Sequence, residues 1–209
     1  MATEADICNL ALAQLGDSAT VTSIKPPDGS PQAGKCARWW PIALRQVTEA
    51  HDWSFLTKRV KLAALASLDD ELYTWKYGFN VPSDCVRIIK VERKTHCGME
   101  TVSFETERNE ANSSRMILCN AKEPILSYVA YNTNPSIFPG YFISCLVPLL
   151  ASYLVGPLKR SDSMTQTAQN LRAEYLQALS LAKTMDAKIS VHKRRRPPRI
   201  PPHLRAREV

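Results

Sequence analysis

The segment W-K-Y-G-F-N-V, residues 75–81, places a large apolar side chain at every second position. Lys76, Gly78 and Asn80 occupy the positions between them. A period of two is typical of a β-strand that buries one face and turns the other toward solvent. This segment therefore predicts the beginning of a β-sheet, in a chain whose earlier residues follow a helical pattern.

The residues that follow predict further strands. P-S-D at 82–84 is a turn, and V-R-I-I-K-V at 86–91 is rich in the β-branched residues that favour strands. Shorter strands are predicted at 102–106, 116–119 and 125–131. Residues 72–132 are therefore expected to form a small antiparallel sheet of about four to six strands.

Helical patterns flank this region on both sides. Thr3 can cap a first helix, which Gly16 is placed to end in a left-handed conformation. Ser30 followed by Pro31 is typical of the start of a second helix, and Pro41 should kink it or break it in two. Helices are expected near residues 4–15, 31–52, 139–156 and 162–188.

The last two of these helices have distinct apolar patterns. Residues 141–155 are nearly all apolar, but the run is shorter than the roughly 20 residues that cross a membrane. A buried helix, in a bundle or between subunits, is therefore favoured over a transmembrane one. The final helix has apolar residues at spacings that alternate between four and three, which is a heptad seam: Met164, Ala168, Leu171, Tyr175, Ala178, Ala182 and Met185.

These patterns together predict an α+β fold with three parts. Residues 1–71 and 133–188 are expected to form a helical bundle of about four main helices. Residues 72–132 are the inserted β-subdomain, a small antiparallel sheet. Residues 189–209 are expected to be an extended, basic, proline-rich C-terminal arm.

The C-terminal arm holds most of the charge of the chain. Residues 192–209 read H-K-R-R-R-P-P-R-I-P-P-H-L-R-A-R-E-V and contribute +6 of the net charge of +7. Four prolines favour extended, polyproline-like backbone. Ile200 and Leu204 are apolar anchors that a purely electrostatic tail does not need, so the arm fits a groove on another protein. The cations of the arm are Lys193, Arg194, Arg195, Arg196, Arg199, Arg205 and Arg207.

No sequence motif for catalysis is present. The chain lacks the G-x-S-x-G, H-E-x-x-H and phosphate-binding glycine patterns, and its six cysteines include no C-x-x-C pair. His51 is a candidate general base that the carboxylate of Asp52 could orient. A structural role for this pair at the end of a helix is favoured. We therefore expect no enzymatic activity, no cofactor and no metal.

Several aromatic residues are candidates for the core or for an interface between subunits. Their strand and helix periodicity favours these roles over stacking on nucleic-acid bases. They are Trp39, Trp40, Trp53, Trp75, Tyr77, Phe79, Tyr141 and Tyr175.

Three stretches of the chain, taken in order, resemble one family. The first is I-C-N-L-A-L-A-Q-L-G-D at 7–17, with W-S-F-L-T-K-R at 53–59. The second is W-K-Y-G-F-N-V-P-S-D-C-V-R-I at 75–88. The third is I-L-C-N-A-K-E-P-I-L-S-Y-V-A-Y at 117–131, followed by L-R-A-E-Y at 171–175. The ordered set resembles the tail tubular protein A family, the head-to-tail adaptors of short-tailed bacteriophages.

This resemblance implies a structural protein of the virion, assembled in the host cytoplasm and located at the portal vertex. The family forms a dodecameric ring between the portal protein and the tail nozzle protein. Double-stranded DNA passes through its channel without sequence-specific binding, and no membrane is involved. The arm, with Ile200, Leu204 and its cations, is then expected to bind the portal. The alternative is a DNA-binding protein that acts through the same basic tail.

Overall fold

The computed structural model describes residues 2–65, 74–96, 98–109, 114–158 and 164–194. Four α-helices and a short 3-10 helix at Pro135–Ile137 lie within these residues. The α-helices are α1, Glu4–Gln14; α2, Pro31–Glu49; α3, Gly140–Leu158; and α4, Met164–Arg194. The predicted helix α4 thus continues six residues past the expected end at 188.

Seven strands form two antiparallel sheets in the described residues. The strands are β1, Thr57–Lys61; β2, Tyr77–Asn80; β3, Cys85–Thr95; β4, Gly98–Thr101; β5, Phe104–Arg108; β6, Arg115–Cys119; and β7, Ile125–Ala130. The four-stranded sheet has the order β1-β7-β3-β4, and the three-stranded sheet has the order β2-β6-β5. The alternating segment that predicted the sheet supplies β2, paired with β6 so that Phe79 lies opposite Ile117.

The helix ends follow from local chemistry, as predicted. Thr3 and Asp6 form a capping box, in which each side chain accepts a hydrogen bond from the backbone N–H of the other residue. Gly16 ends α1 with a φ of 71°, a conformation that costs glycine little. The Ser30 side chain accepts from the Ala33 N–H at the start of α2. At Pro41 a kink or a break was predicted, and the helix α2 continues through this residue without a break.

The molecule has three layers, with the four-stranded sheet in the middle. Strand β7 contributes to two cores because its side chains alternate between the two faces of the sheet. Val129 packs with the four helices on one face. Leu126 and Tyr128 point to the other face, where they meet Phe79 and Ile117 of the three-stranded sheet.

The predicted fold, a helical bundle with a small inserted antiparallel sheet, is therefore wrong, although the α+β mixture is present. Strand β1 lies in the part assigned to the bundle and pairs with β7, with Lys61 opposite Ile125. The region 72–132 contributes to two sheets instead of one, and β7 packs directly under the helices. The sheet is a central layer because both of its faces carry apolar residues that must be covered.

Helix α3 is the centre of the helical layer. It packs against α1, α2 and α4, and Phe142, Leu146 and Leu150 are completely buried. Among the described helices it alone is long and apolar enough to cross a membrane, and 61% of that apolar stretch is buried inside the protein. The burial agrees with the prediction of a helix packed among neighbours.

Candidate functional site

The end of α4 projects beyond the helical layer. Helices α3 and α4 are antiparallel: the Tyr141 hydroxyl, near the start of α3, donates a 3.0 Å hydrogen bond to Asp186 of α4. The helix α4 then continues for eight more residues to Arg194, which adds about 12 Å of length at 1.5 Å per residue. Ala187, Lys188 and Ile189, the first three residues of this segment, are exposed.

Of the predicted arm, two residues belong to this projecting helix. Lys193 and Arg194 are the last two residues of α4. The remaining predicted arm residues lie outside the described part of the chain: Arg195, Arg196, Arg199, Ile200, Leu204, Arg205 and Arg207. The basic segment therefore begins at the tip of a helix, about two turns beyond the buried Asp186.

Asp186 fixes α4 at the point where the projection begins. Its carboxylate is 2% exposed. The Ser54 backbone N–H donates to both carboxylate oxygens, at 3.2 and 3.1 Å, and the Ser54 hydroxyl donates to Oδ1 at 2.7 Å. His51 Nε2 lies 3.3 Å from Oδ2. Burial, followed by the hydrogen bond to Asp186, raises the pKa of Tyr141 to about 12.

This cluster is structural in its geometry. His51 was considered with Asp52 as a base and its orienting acid, but it faces Asp186, while Asp52 lies 3.1 Å from Arg87. The Ser54 hydroxyl donates to the same Asp186 carboxylate. The cluster holds the α2–β1 connection, α3 and α4 together.

The aromatic candidates divide by burial. Trp40, Trp53, Phe79 and Tyr175 belong to the core. The Trp53 indole N–H donates to the Val47 carbonyl at 2.8 Å, whereas the Trp40 indole N–H has no hydrogen-bond partner in the part of the chain that the structure describes. The half-buried candidates are Trp39, Trp75, Tyr77 and Tyr141.

Two of the half-buried aromatic residues make contacts that hold surface elements together. Trp39 of α2 stacks on Tyr153 of α3, with ring centroids 5.1 Å apart and planes 10° from parallel. The Trp75 indole N–H donates to Glu105 Oε2 at 2.8 Å. Both indole rings are half-buried in these contacts.

Three apolar side chains form an exposed row along the C-terminal half of α4, here called the outer stripe. Leu181, Met185 and Ile189 are spaced four residues apart and are 59%, 45% and 49% exposed. The predicted heptad seam included Met185, but the buried positions at this end are Leu179, Ala182 and Asp186. The prediction of Met185 was therefore wrong, and the reason is that a straight helix repeats every 3.6 residues and drifts away from a heptad.

A second exposed apolar feature lies on α2 and is here called the α2 groove. It is a concavity of about 430 Å³ on the outer face of the helix, and Ile42 within it is 48% exposed. Its lining residues are Pro41, Ile42, Arg45, Gln46, Glu49 and Tyr131. Within it, Arg45 Nε lies 2.9 Å from Glu49 Oε1, so the two charged side chains of the lining form an ion pair.

The thiols of the described cysteines are buried: Cys8, Cys36, Cys85, Cys119 and Cys145. Burial raises the pKa of Cys145 to about 11. Cys8 and Cys36 share a hydrogen bond that raises the pKa of Cys8 and lowers that of Cys36. Within the described residues, no group of three or more His, Cys, Asp or Glu side chains is arranged to hold a metal ion.

Comparison of the chain with family models and with curated protein sequences finds no match.

Sequence reasoning missed the Asp186 cluster and the α2 groove. The sequence did not indicate that Asp186 is buried, because the buried face of a helix is recognised by its apolar residues and an aspartate does not fit that pattern. The groove depends on Tyr131, which follows β7 and lies far from α2 in sequence. The four-residue spacing of Leu181, Met185 and Ile189 was a visible sign of a second apolar face on α4, but Met185 was assigned to the seam.

Proposed function

We propose that the protein is a structural adaptor, a subunit that assembles with copies of itself and joins two larger structures. More specifically, we propose a head-to-tail adaptor of a short-tailed bacteriophage. Its ring would lie between the portal protein and the tail nozzle protein and leave a channel for double-stranded DNA. Twelve-fold symmetry and the location at the portal vertex are what the family resemblance implies.

The observation that carries this proposal is the projecting end of α4. Asp186 anchors the helix in the body, and the following turns present Lys188 and Ile189 to solvent before the basic segment begins. A helix that leaves its own domain with apolar and cationic side chains is suited to insertion between or along subunits of a partner. Arginines of the tail would pair with carboxylates there, and Ile200 and Leu204 would occupy apolar pockets.

The distribution of charge also supports a conduit. Residues 192–209 account for +6 of the net charge of +7, so the remainder of the chain is close to neutral. A strongly basic channel would bind the phosphates of passing DNA and slow its movement. In this proposal the basic C-terminal segment tethers the subunit to its partner. The nearly neutral remainder of the chain forms the surface along which DNA passes.

The test is a truncation and a double substitution, both measured for binding to the portal protein of the same virus. Deleting residues 195–209 leaves every described element intact, so the melting temperature should not change while portal binding is lost. A second variant, I200S/L204S, keeps all cations and removes only the apolar anchors. It should weaken portal binding by roughly 100-fold, as expected for losing two buried side chains. Portal binding that survives the deletion would refute the adaptor proposal.

The alternative, a DNA-binding protein acting through the tail, predicts a different result from the same variants. Duplex DNA would be retarded in a gel in a salt-sensitive manner, and I200S/L204S would bind DNA like the wild type. Replacing Arg195, Arg196, Arg199, Arg205 and Arg207 with glutamine would abolish that retardation. Portal binding by the wild type without DNA retardation supports the adaptor.

A further inference from the structure

The thiols of Cys8 and Cys36 meet in the core of the helical layer and are here called the thiol pair. Both residues are completely buried in that core, Cys8 on α1 and Cys36 on α2. The two thiols share a hydrogen bond, which requires one sulfur atom to lie beside the other. Two cysteines that are distant in sequence are therefore brought together by the packing of the first two helices.

Hydrogen bonds beside the thiol pair hold this part of the helical layer in place. The side chain of Asn9, the residue after Cys8, donates to the Val21 carbonyl at 2.9 Å and accepts from the Val21 N–H at 2.8 Å. Gln32, in the first turn of α2, donates to the Asp17 carboxylate at 3.4 Å. The connection between the two helices is thus bonded to both of them, which keeps the two thiols close together.

Two other buried thiols have a different kind of partner. Cys119 Sγ donates to the Ala121 carbonyl at 3.8 Å, and Cys145 Sγ donates to the Tyr141 carbonyl at 3.2 Å. Each of these sulfur atoms bonds to a backbone oxygen a few residues away, and a carbonyl oxygen does not take part in thiol–disulfide exchange. These two cysteines are therefore internal controls for the reactivity of the thiol pair.

We propose that the thiol pair is a redox-sensitive site, at which a disulfide bond between Cys8 and Cys36 ties α1 to α2. The oxidant is a small disulfide such as oxidised glutathione. The two cysteine sulfurs together give up two electrons, which reduce the disulfide of glutathione to two thiols, and the two cysteine protons pass to these products. The bond depends only on the packing of α1 and α2, so it goes beyond the adaptor proposal and is independent of it.

Cys36 is the residue that attacks first. Its hydrogen bond to Cys8 lowers the pKa of its thiol, and the thiolate is the form that attacks a disulfide. The attack joins Cys36 to one glutathione and releases the other. The hydrogen bond to Cys36 is also the main reason why the pKa of Cys8 is raised, and the mixed disulfide removes that cause. The Cys8 thiolate then attacks Cys36 Sγ and releases the second glutathione.

Burial controls the rate of this reaction, and the length of the closed loop controls its effect on stability. Glutathione reaches the buried Cys36 only when α1 and α2 separate locally, so the reaction should be slow in buffer and faster in urea below the unfolding transition. Cys8 and Cys36 are 28 positions apart. A disulfide that closes such a loop restricts the unfolded chain and should raise the melting temperature by roughly 5–10 °C.

The experiment incubates the full chain with oxidised glutathione, in buffer and at urea concentrations up to the midpoint of unfolding. Free thiols are then blocked with iodoacetamide, and the chain is digested and examined by mass spectrometry. A linked pair of peptides that contains Cys8 and Cys36 should accumulate before any other disulfide. The oxidised protein should melt roughly 5–10 °C higher than the reduced one, and reduction with dithiothreitol should reverse the increase.

Three serine variants separate the steps of the reaction. Cys8→Ser should stop at a mixed disulfide between Cys36 and glutathione. Cys36→Ser lacks the first nucleophile, so Cys8 should react at least about 10-fold more slowly than Cys36 reacts in the wild type. Neither variant should gain thermal stability on oxidation. Cys145→Ser is the matched control, because Cys145 is buried in the same core, and it should form the disulfide at the wild-type rate.

Three results would overturn this site. The first is that no linked Cys8–Cys36 peptide forms at any urea concentration up to the midpoint of unfolding, where the thiols are accessible. The second is a wild-type protein that stops at the mixed disulfide on Cys36. The third is a disulfide that lowers the melting temperature, because the bond would then strain the native packing of α1 and α2.

Discussion

The hydroxyl of Ser54 donates a 2.7 Å hydrogen bond to Oδ1 of Asp186, a residue 132 positions further along the chain. The same carboxylate accepts from the Ser54 backbone N–H and from the Tyr141 hydroxyl. Three segments that are distant in sequence therefore meet at one buried charge. A buried carboxylate is tolerated only when its oxygens are hydrogen-bonded, and these donors meet that condition.

Replacing Asp186 with alanine should destabilise the protein strongly. The change leaves the Ser54 and Tyr141 donors buried or half-buried without their acceptor, and the expected loss is about 2–4 kcal/mol of unfolding free energy. Asp186→Asn keeps one carbonyl acceptor and should cost less. Urea denaturation measures both, with Lys188→Ala, an exposed position on the same helix, as the control. A loss below about 0.5 kcal/mol in D186A would show that the cluster does not hold the layers together.

The two tryptophans Trp53 and Trp75 should differ sharply in their contribution to stability. Trp53 is completely buried, contacts Tyr141 and Phe142, and its indole N–H is bonded to Val47. Its replacement by alanine is expected to cost about 3–5 kcal/mol. Trp75 is half-buried, and its alanine variant should cost about 1 kcal/mol or less. Similar losses for the two variants, measured by chemical denaturation, would contradict the assignment of Trp53 to the core.

Asp28 should make the stability of the protein depend on pH in the acid range. Hydrogen bonds from Ser30 and Thr22 hold the pKa of the Asp28 carboxyl below its usual range. The pKa of Asp28 is lower in the folded state than in the unfolded state, so its ionised carboxylate stabilises the fold. This stabilisation is fully present above the unfolded-state pKa of about 3.9 and is lost as the pH falls through the folded-state pKa. Asp28→Asn should therefore lower the melting temperature at pH 7.

The control for Asp28 is the same comparison at low pH. The difference between wild type and D28N should shrink steadily below about pH 4, because protonation removes the same charge from the wild type. Thr22→Val, which removes a hydroxyl that bonds to this carboxylate, should have a smaller effect of the same sign. A difference that is independent of pH would mean that the charge of Asp28 does not contribute.

The cysteines of the described chain should react slowly with iodoacetamide in the native state. The thiols of Cys8, Cys36, Cys85, Cys119 and Cys145 are buried, and burial also raises the pKa of Cys85, Cys119 and Cys145. Labelling should be about 100-fold slower than in the urea-unfolded chain, followed for each cysteine by mass spectrometry. Rapid native labelling of Cys145 would show that α3 is not packed as described.

The ends of the helices could be predicted from sequence because they depend on near neighbours. Thr3 and Ser30 each accept a hydrogen bond from a backbone N–H three residues later, and Gly16 needs only its own backbone freedom. The alternation in residues 75–81 likewise identified β2, because Phe79 has to face a core. These elements carry their signal within a few residues.

The layered fold could not be predicted in the same way. Strand β1 reads T-K-R-V-K and is almost entirely exposed, so it shows no apolar alternation. It is a strand because β7, more than sixty residues later, supplies its hydrogen-bond partners, with Thr57 opposite Val129. Pairing of this kind is set by tertiary context and not by local preference.

The candidate site was predicted only in part. Sequence reasoning named Lys193 and Arg194 as part of a functional C-terminal segment, and these residues lie at the tip of α4. It placed Met185 in a seam, whereas the adjacent carboxylate of Asp186 is the buried position. A strict heptad count places the apolar Met185 in the core. Asp186 can be buried because the folded structure brings hydrogen-bond donors to its carboxylate, and the heptad count does not show them.

Tension applied to the C-terminal segment would enter the body along α4. On this path the pull reaches the buried hydrogen bonds that Ser54 donates to Asp186. The load would then pass to the α2–β1 connection through Ser54 and to α3 through Tyr141. A subunit tethered by its tail would thus distribute a mechanical strain over the helical layer and the central sheet together.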